Sequence, residues 1–184
     1  VGVNAYWNLA TGRNAAQDIY YCDEDYLINA PKKLDEKIFT DNLTRFDQFS
    51  AKLGVPADLV MVPTTGYLMD EVLPSFHDDS LYDLAGSLLK NTRLVDVRDA
   101  LKEGKAGGQV CYRTDHHLTS YGNYLLYQAY QTANGASYLP QDAYQVTSYD
   151  GFYGTDWSGS GYWLVPPDTV EVWDAGLSPT VTIT

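Results

Sequence analysis

Basic residues are scarce in this 184-residue chain: 12 Lys and Arg stand against 24 Asp and Glu, a formal charge of −12. A polyanion-binding surface needs a basic footprint, and these cations are scattered, which excludes an electrostatic nucleic-acid binder. The same sign disfavours an anionic membrane surface. No apolar run approaches the roughly 20 residues of a membrane-spanning helix. Cysteine occurs twice, Cys22 and Cys111, too few for a disulfide scaffold. The two could form one bridge or remain as thiols; each sits in a β-like run, IYYC or QVCY, which favours buried structural thiols. There is no phosphate-binding glycine loop, because GKAGG at Gly104–Gly108 lacks the K-[ST] ending and reads as a turn. No leader-like segment follows Val1, and a start without Met is what a processed chain would show.

What the chain does have is tyrosine, 16 of them, with 4 Trp and only 5 Phe. Aromatic rings with a polar tip suit wet concave surfaces such as sugar grooves, and equally a tyrosine-rich core. A hydrophobic content of 45% excludes intrinsic disorder. The length fits one domain over residues 1–184 that buries about 70% of its unfolded surface. High acidity, low lysine and abundant tyrosine together fit an exported bacterial protein.

Residues 1–18 are polar and read as irregular. Ile19–Cys22 and Tyr26–Ile28 read as a hairpin around the acidic turn Asp23-Glu24-Asp25. Phe39, Leu43, Phe46 and Leu53, widened by Ile38 and Phe49, mark an amphipathic helix over Asp35–Leu53, stopped by Gly54. Asp58–Val62 reads as a strand buried on both faces. Leu81, Leu84, Ala85, Leu88 and Leu89 give a helix over Ser80–Lys90, capped by Asp79 or Ser80. Leu94–Val97 reads as a strand, Val97–Glu103 as a short helix and Gln109–Arg113 as a strand. A helix from Thr119 or Ser120 to Ala133 closes at Asn134-Gly135. This alternation predicts an α/β fold, a three-layer sandwich with a mostly parallel sheet. Residues 136–184, rich in Tyr, Gly, Ser and Pro, read as a surface or edge excursion with short strands at Gln145–Ser148 and Thr169–Trp173.

Two of the three histidines lie in Arg113-Thr114-Asp115-His116-His117-Leu118-Thr119. This segment is expected to leave the carboxyl end of a parallel strand, the place where ligands sit in open α/β sheets. A carboxylate two residues before an imidazole in a tight loop can bond one ring nitrogen. That fixes the tautomer and leaves the other nitrogen as a general base. Asp115 is therefore the expected orienter and His117 the expected base, with Asp115 as a mere helix cap the plain alternative. Arg113 and His116 flank the pair as candidate ligand contacts. The aromatic-rich stretch Tyr149–Trp163 adds Tyr153 and Trp157 as candidate sugar platforms, or as rings pinned back to the core. Phe76-His77-Asp78-Asp79 together with the Asp115 loop offers metal-ligand chemistry without tight spacing. His77 as a solvated loop residue, with Asp78 and Asp79 as caps, is favoured over a metal site.

The run Tyr112–Thr119, followed by Tyr121-Gly122, Tyr124 and Tyr127-Gln128, resembles the signature of the DHHW-motif family. These are bacterial envelope proteins related to SGNH-type esterases and similar to the alginate O-acetyltransferase group. Tyr20-Tyr21, Leu27-Ile28, Val62-Pro63-Thr64, Leu73-Pro74, Val95-Asp96-Val97, Gly154-Thr155, Ser160-Gly161 and Asp168–Glu171 extend the resemblance over about residues 20–173. It implies an SGNH-hydrolase-like fold, with Asp115 and His117 as members of a Ser-His-Asp triad. It also implies an exported esterase or O-acetyltransferase acting on a cell-envelope glycan, outside the cell or in its envelope, with no metal or organic cofactor. Two positions depart from the family. Leu118 stands where the family has Trp, and the family's later nucleophile segment has no counterpart up to Thr184. The nucleophile is then expected beyond this chain or absent, with Ser158 and Ser160 as surrogates and the domain incomplete. A non-catalytic polysaccharide-binding protein of the same fold is the alternative expectation.

Overall fold

In a computed structural model the structure describes residues 2–177. The start of the chain is more ordered than its polarity suggests. Gly2–Ala10 form helix α1, and Ala15–Ala16 (β1) pair antiparallel with Ile19–Tyr21 (β2). The helix is hard to read because its apolar residues do not share one face. Ala5 is sealed in a cluster with Ile19, Leu27, Tyr162 and Val165, while Val3 and Trp7 are exposed. β2 turns through Asp23–Asp25 into β3 (Leu27–Asn29), with Tyr20 opposite Ile28, as the hairpin reading expects.

Helix α2 (Glu36–Leu53) has the expected ends. Asp35 accepts the Ile38 N–H at 3.0 Å, and Gly54 closes the helix at φ 65°. Its buried face is rotated from expectation: Phe39 and Leu43 are half-buried in line with the buried Asp47 and Ser50, while Ile38, Phe46, Phe49 and Leu53 are exposed. The cause is Asp47, which accepts the backbone N–H groups of Lys90, Asn91 and Thr92 at 3.0, 2.8 and 2.8 Å. The Asn91 side chain donates to its second oxygen at 2.8 Å. A carboxylate together with the half-buried Phe39 and Leu43 ties this helix down.

Strand β4 (Ala57–Val60) pairs in parallel with β5 (Thr92–Val95), Leu59 opposite Leu94, and is half-buried rather than covered on both faces. Helices α3 (Thr65–Leu68), α4 (Ser80–Leu88), α5 (Arg98–Gly104) and α6 (Ser120–Ala133) follow, α3 being the one not expected. Thr119 caps α6 by accepting the Gly122 N–H at 3.0 Å. Gly122 itself lies so close to Val110 that an added Cβ would sit 2.2 Å from the Val110 carbonyl oxygen.

The segment Gln109–Arg113 is not a strand. Its ladder is replaced by an isolated antiparallel bridge between Cys111 and Leu118, with Tyr112 N–H donating to His117 O at 3.2 Å. The Arg113 and Thr114 N–H groups are taken by the Asp168 carboxylate at 3.0 and 2.8 Å. Donors spent in this way cannot extend a sheet. β6 (Gln145–Phe152) and β7 (Asp168–Asp174) form an antiparallel arm, Val146 opposite Trp173, longer than the strands expected there. A short helix α7 (Thr155–Ser160) and the buried residues Tyr162, Val165 and Asp168 lie between and beside them, so this region is more than a surface excursion. Its last expected residues, 178–184, lie outside the described residues.

The fold is thus mixed α/β, but not a mostly parallel three-layer sandwich. The described residues carry three small sheets, of three, two and two strands, and only β4–β5 is parallel. The larger core joins Cys22, Tyr26, Ile28, Leu68, Val97, Leu101, Val110, Cys111 and Leu125. Both cysteines are buried free thiols, not a bridge, and burial pushes each up to about 12.

Candidate active site

The loop between Tyr112 and α6 is held from three sides. Asp168, itself buried, receives Thr114 Oγ1 at 2.6 Å and Gln109 Nε2 at 2.8 Å in addition to the two backbone donors. Thr114 O accepts the N–H groups of Asp156 and Trp157, each at 3.1 Å, and Thr114 Oγ1 accepts that of Gly154 at 3.1 Å. Leu27 N–H donates to Arg113 O at 2.8 Å, linking the loop to β3. Gly154 is required for this closeness: an added Cβ would lie 2.3 Å from the Asp115 Cβ and 2.6 Å from Thr114 O.

Within that brace Asp115 is 5% exposed and fully engaged. Its Oδ1 accepts His117 Nδ1–H at 2.5 Å and His117 N–H at 3.1 Å, which assigns the Nδ1 tautomer. Its Oδ2 accepts the Thr155 N–H at 2.9 Å and the Thr155 hydroxyl at 3.0 Å. Burial alone would raise this carboxyl, but the bonds from Thr155 and His117 outweigh it and hold it down at about 2. Asp115 is therefore ionised at neutral pH. The His117 side chain is 70% exposed, and its Nε2 has no hydrogen-bond partner among the described residues. The arrangement can accept a proton at Nε2 while a fixed negative charge waits at Nδ1.

A second imidazole lies alongside. The His116 ring packs on that of His117, centroids 4.1 Å apart. Its Nδ1 is 3.2 Å from Thr155 Oγ1 and 3.6 Å from Asp156 Oδ1. Asp156 is buried, receives Asn29 Nδ2 at 2.6 Å, and leaves Oδ2 without a partner among the described residues. Burial raises its carboxyl, against the pull of Asn29 and His116. Donor atoms of Asp115, His116 and His117 lie within 4.8 Å of one another, a geometry that could hold a cation.

The remaining sequence candidates fall elsewhere. Arg113 directs its guanidinium to Glu24 O at 3.1 Å and Gln109 Oε1 at 3.2 Å, over the Tyr26 ring, and so braces the loop. Tyr153 and Trp157 stack with centroids 4.3 Å apart, and Tyr153 is exposed. Ser158 donates its hydroxyl to Thr155 O at 3.0 Å; Ser160 is buried and donates to Trp157 O at 3.3 Å. Neither is hydrogen-bonded to His117. His77 is paired with Asp79 at 3.0 Å and Asp70 at 3.3 Å and stacked on Tyr67, a charged network that includes no residue of the Asp115 loop. Asp78 accepts the Ser80 N–H at 2.9 Å at the start of α4, the capping role expected of this pair, whereas Asp79 bonds Tyr67 and Arg98.

Thr114, Thr155 and the bracing role of Asp168 were not singled out from the sequence. Their only signal was the place of Gly154-Thr155 and Asp168 among the later landmarks of the resemblance.

No family model and no curated protein sequence matches the chain. Solved structures do. A DHHW family protein from Eubacterium siraeum aligns with a TM-score of 0.72 at 20% identity, over 85% of this chain and 54% of that one. The O-acetyltransferase domain of Pseudomonas putida AlgJ aligns at 0.64 and 22%, over 83% of this chain and 63% of that one. Bacillus cereus PatB1, solved with a sulfonyl adduct, aligns at 0.62 and 15%, over 84% and 54%. The chain spans less than two thirds of the length of each. The frame that carries Asp115 and His117 is accordingly a mixed α/β fold similar to SGNH-like structures, the fold of this DHHW family protein, the AlgJ domain and PatB1.

Proposed function

We propose that the chain acts in acyl transfer, as an esterase or O-acetyltransferase working on a glycan of the bacterial cell envelope. The observation that supports this most is the Asp115–His117 pair: a buried, ionised carboxylate grips one ring nitrogen, and the other is open to solvent. His117 takes a proton from a hydroxyl through Nε2, and Asp115 stabilises the imidazolium that results. We assign that hydroxyl to a serine outside the described residues, because Ser158 and Ser160 spend theirs on backbone carbonyls. The serine oxygen attacks the acyl carbon, the alcohol leaves with the proton from His117, and a sugar hydroxyl or water later takes the acyl group. The likeness to a domain named for O-acetyl transfer supports the same class of reaction.

Hydrolysis of 4-nitrophenyl acetate and of acetylated polysaccharide by the full-length protein tests this. His117→Ala is expected to lower the rate by about 10²–10⁴-fold, the usual contribution of a general base. His116→Ala keeps measurable activity toward the small ester. Absence of any hydrolysis overturns the reading in favour of a non-catalytic polysaccharide binder, which the lack, among the described residues, of a hydroxyl bonded to His117 also supports.

A further inference from the structure

Beside the His116–Asp156 pair lies a cavity of about 480 Å³, within the range of small-molecule sites. β3 and the residues after it contribute Ile28, Asn29, Ala30, Pro31 and Lys32 to it; Thr64 and α3 contribute Thr65 and Gly66, and Phe76 and α7 complete it. Its walls divide by chemistry. Ile28, Ala30, Pro31 and Phe76 supply apolar lining, and Asn29, Thr64, Thr155 and His116 supply amide, hydroxyl and imidazole groups. Asp156 contributes to this wall, and its Oδ2 is a buried polar atom with no hydrogen-bond partner among the described residues. Native proteins rarely leave such atoms unpaired without a ligand or water to meet them.

The lining carries one cation, Lys32, and one carboxyl group, the buried Asp156. The whole chain adds its charge of −12. A polyanionic ligand meets repulsion at long range and no guanidinium or ammonium cluster at short range. A ring with apolar C–H faces and neutral hydroxyls on its edge matches both halves of the lining. We infer that this cavity binds a neutral hexopyranose unit, its ring against Phe76 and Pro31 and its hydroxyls toward Asp156, Asn29 and His116, and that it discriminates against uronates.

The inference rests on the acyl-transfer reading only for what the bound sugar is for; binding itself is measured without turnover. Titration calorimetry and saturation-transfer NMR on the full-length protein would compare cellotetraose with a tetramannuronate of equal length, at low and at physiological salt. Cellotetraose is expected to bind at least about tenfold more tightly at both salts. Asp156→Asn, which keeps one acceptor for Asn29 and puts a neutral donor at the second position, is expected to hold affinity within about threefold. Asp156→Ala and Phe76→Ala are each expected to weaken it, the former by about tenfold, with circular dichroism checking that both fold. Equal or tighter binding of the tetramannuronate overturns the inference. So does absence of cellotetraose binding, or affinity untouched by both Asp156→Ala and Phe76→Ala. A protein that binds cellotetraose but hydrolyses no ester sinks the acyl-transfer reading and leaves this one standing. Ester hydrolysis without cellotetraose binding does the reverse.

Discussion

At the scale of single residues, the chemistry of Asp115 is set by what surrounds it rather than by its own position. Four donors converge on its two oxygens, and two of them come from Thr155. Gly154→Ala tests how tight that contact is. A methyl group 2.3 Å from the Asp115 Cβ must push the two backbones apart and loosen the Thr155 bonds. The expected outcome is a lower melting temperature together with a loss of ester hydrolysis, read by calorimetry and by assay on the same protein. An Ala variant with unchanged melting and activity would contradict the geometry. The cysteines give a simpler test. Both thiols are buried and pushed up to about 12, and the thiolate is the reactive form. A disulfide reagent such as DTNB is expected to label neither in the native protein at neutral pH and both after denaturation.

At the scale of elements, α2 shows what periodicity can and cannot convey. Its ends were legible because caps are local chemistry: Asp35 bonds a donor three residues on, and Gly54 takes a left-handed φ. Its buried face was legible only in part: Phe39 and Leu43 lie on it, but the contacts of Asp47 with Lys90–Thr92 leave Phe46, Phe49 and Leu53 exposed. Phe49→Ser is therefore expected to change stability by less than about 0.5 kcal/mol, as surface substitutions do. Asp47→Ala, which strands three backbone donors, is expected to lower the melting temperature by several degrees. Thermal unfolding of the two variants side by side checks the order; the reverse order would restore the apolar face as the anchor. The Gln109–Arg113 segment failed in the same way. Its β-like residues are right for a strand, but Asp168, more than fifty positions later, claims the donors a ladder would use. The Asp115–His117 contact was legible because it spans only two residues. The brace around it was not, because Thr155 and Asp168 reach it from far along the chain.

At the scale of the whole molecule, acidity governs the response to pH. Asp47, Asp79 and Asp115 are each held at about 2, below the roughly 3.9 of an unfolded aspartate, by hydrogen bonds to their carboxylates. The stability they contribute is complete above about pH 4 to 5 and is lost as pH falls toward 2. Asp156 acts with the opposite sign. Burial raises its carboxyl, so the folded chain keeps a proton that the unfolded chain releases. Its contribution is fully present below the unfolded value near 3.9 and declines as pH rises through the raised one. Unfolding by urea across pH 2–7 is expected to show a steep loss on the acid side, with Asp156→Asn selectively raising stability, relative to the wild type, toward neutral pH. A flat profile down to pH 2 would mean that the three carboxylates are not bonded as described.

The separation of forty positions between Asp115 and Thr155 has a consequence for the order of events in synthesis. While the polypeptide is still being made, the imidazole is in place long before the strap that holds its partner's charge. Until the late glycine-rich turn meets the earlier loop, Asp115 lacks two of its four hydrogen-bond donors.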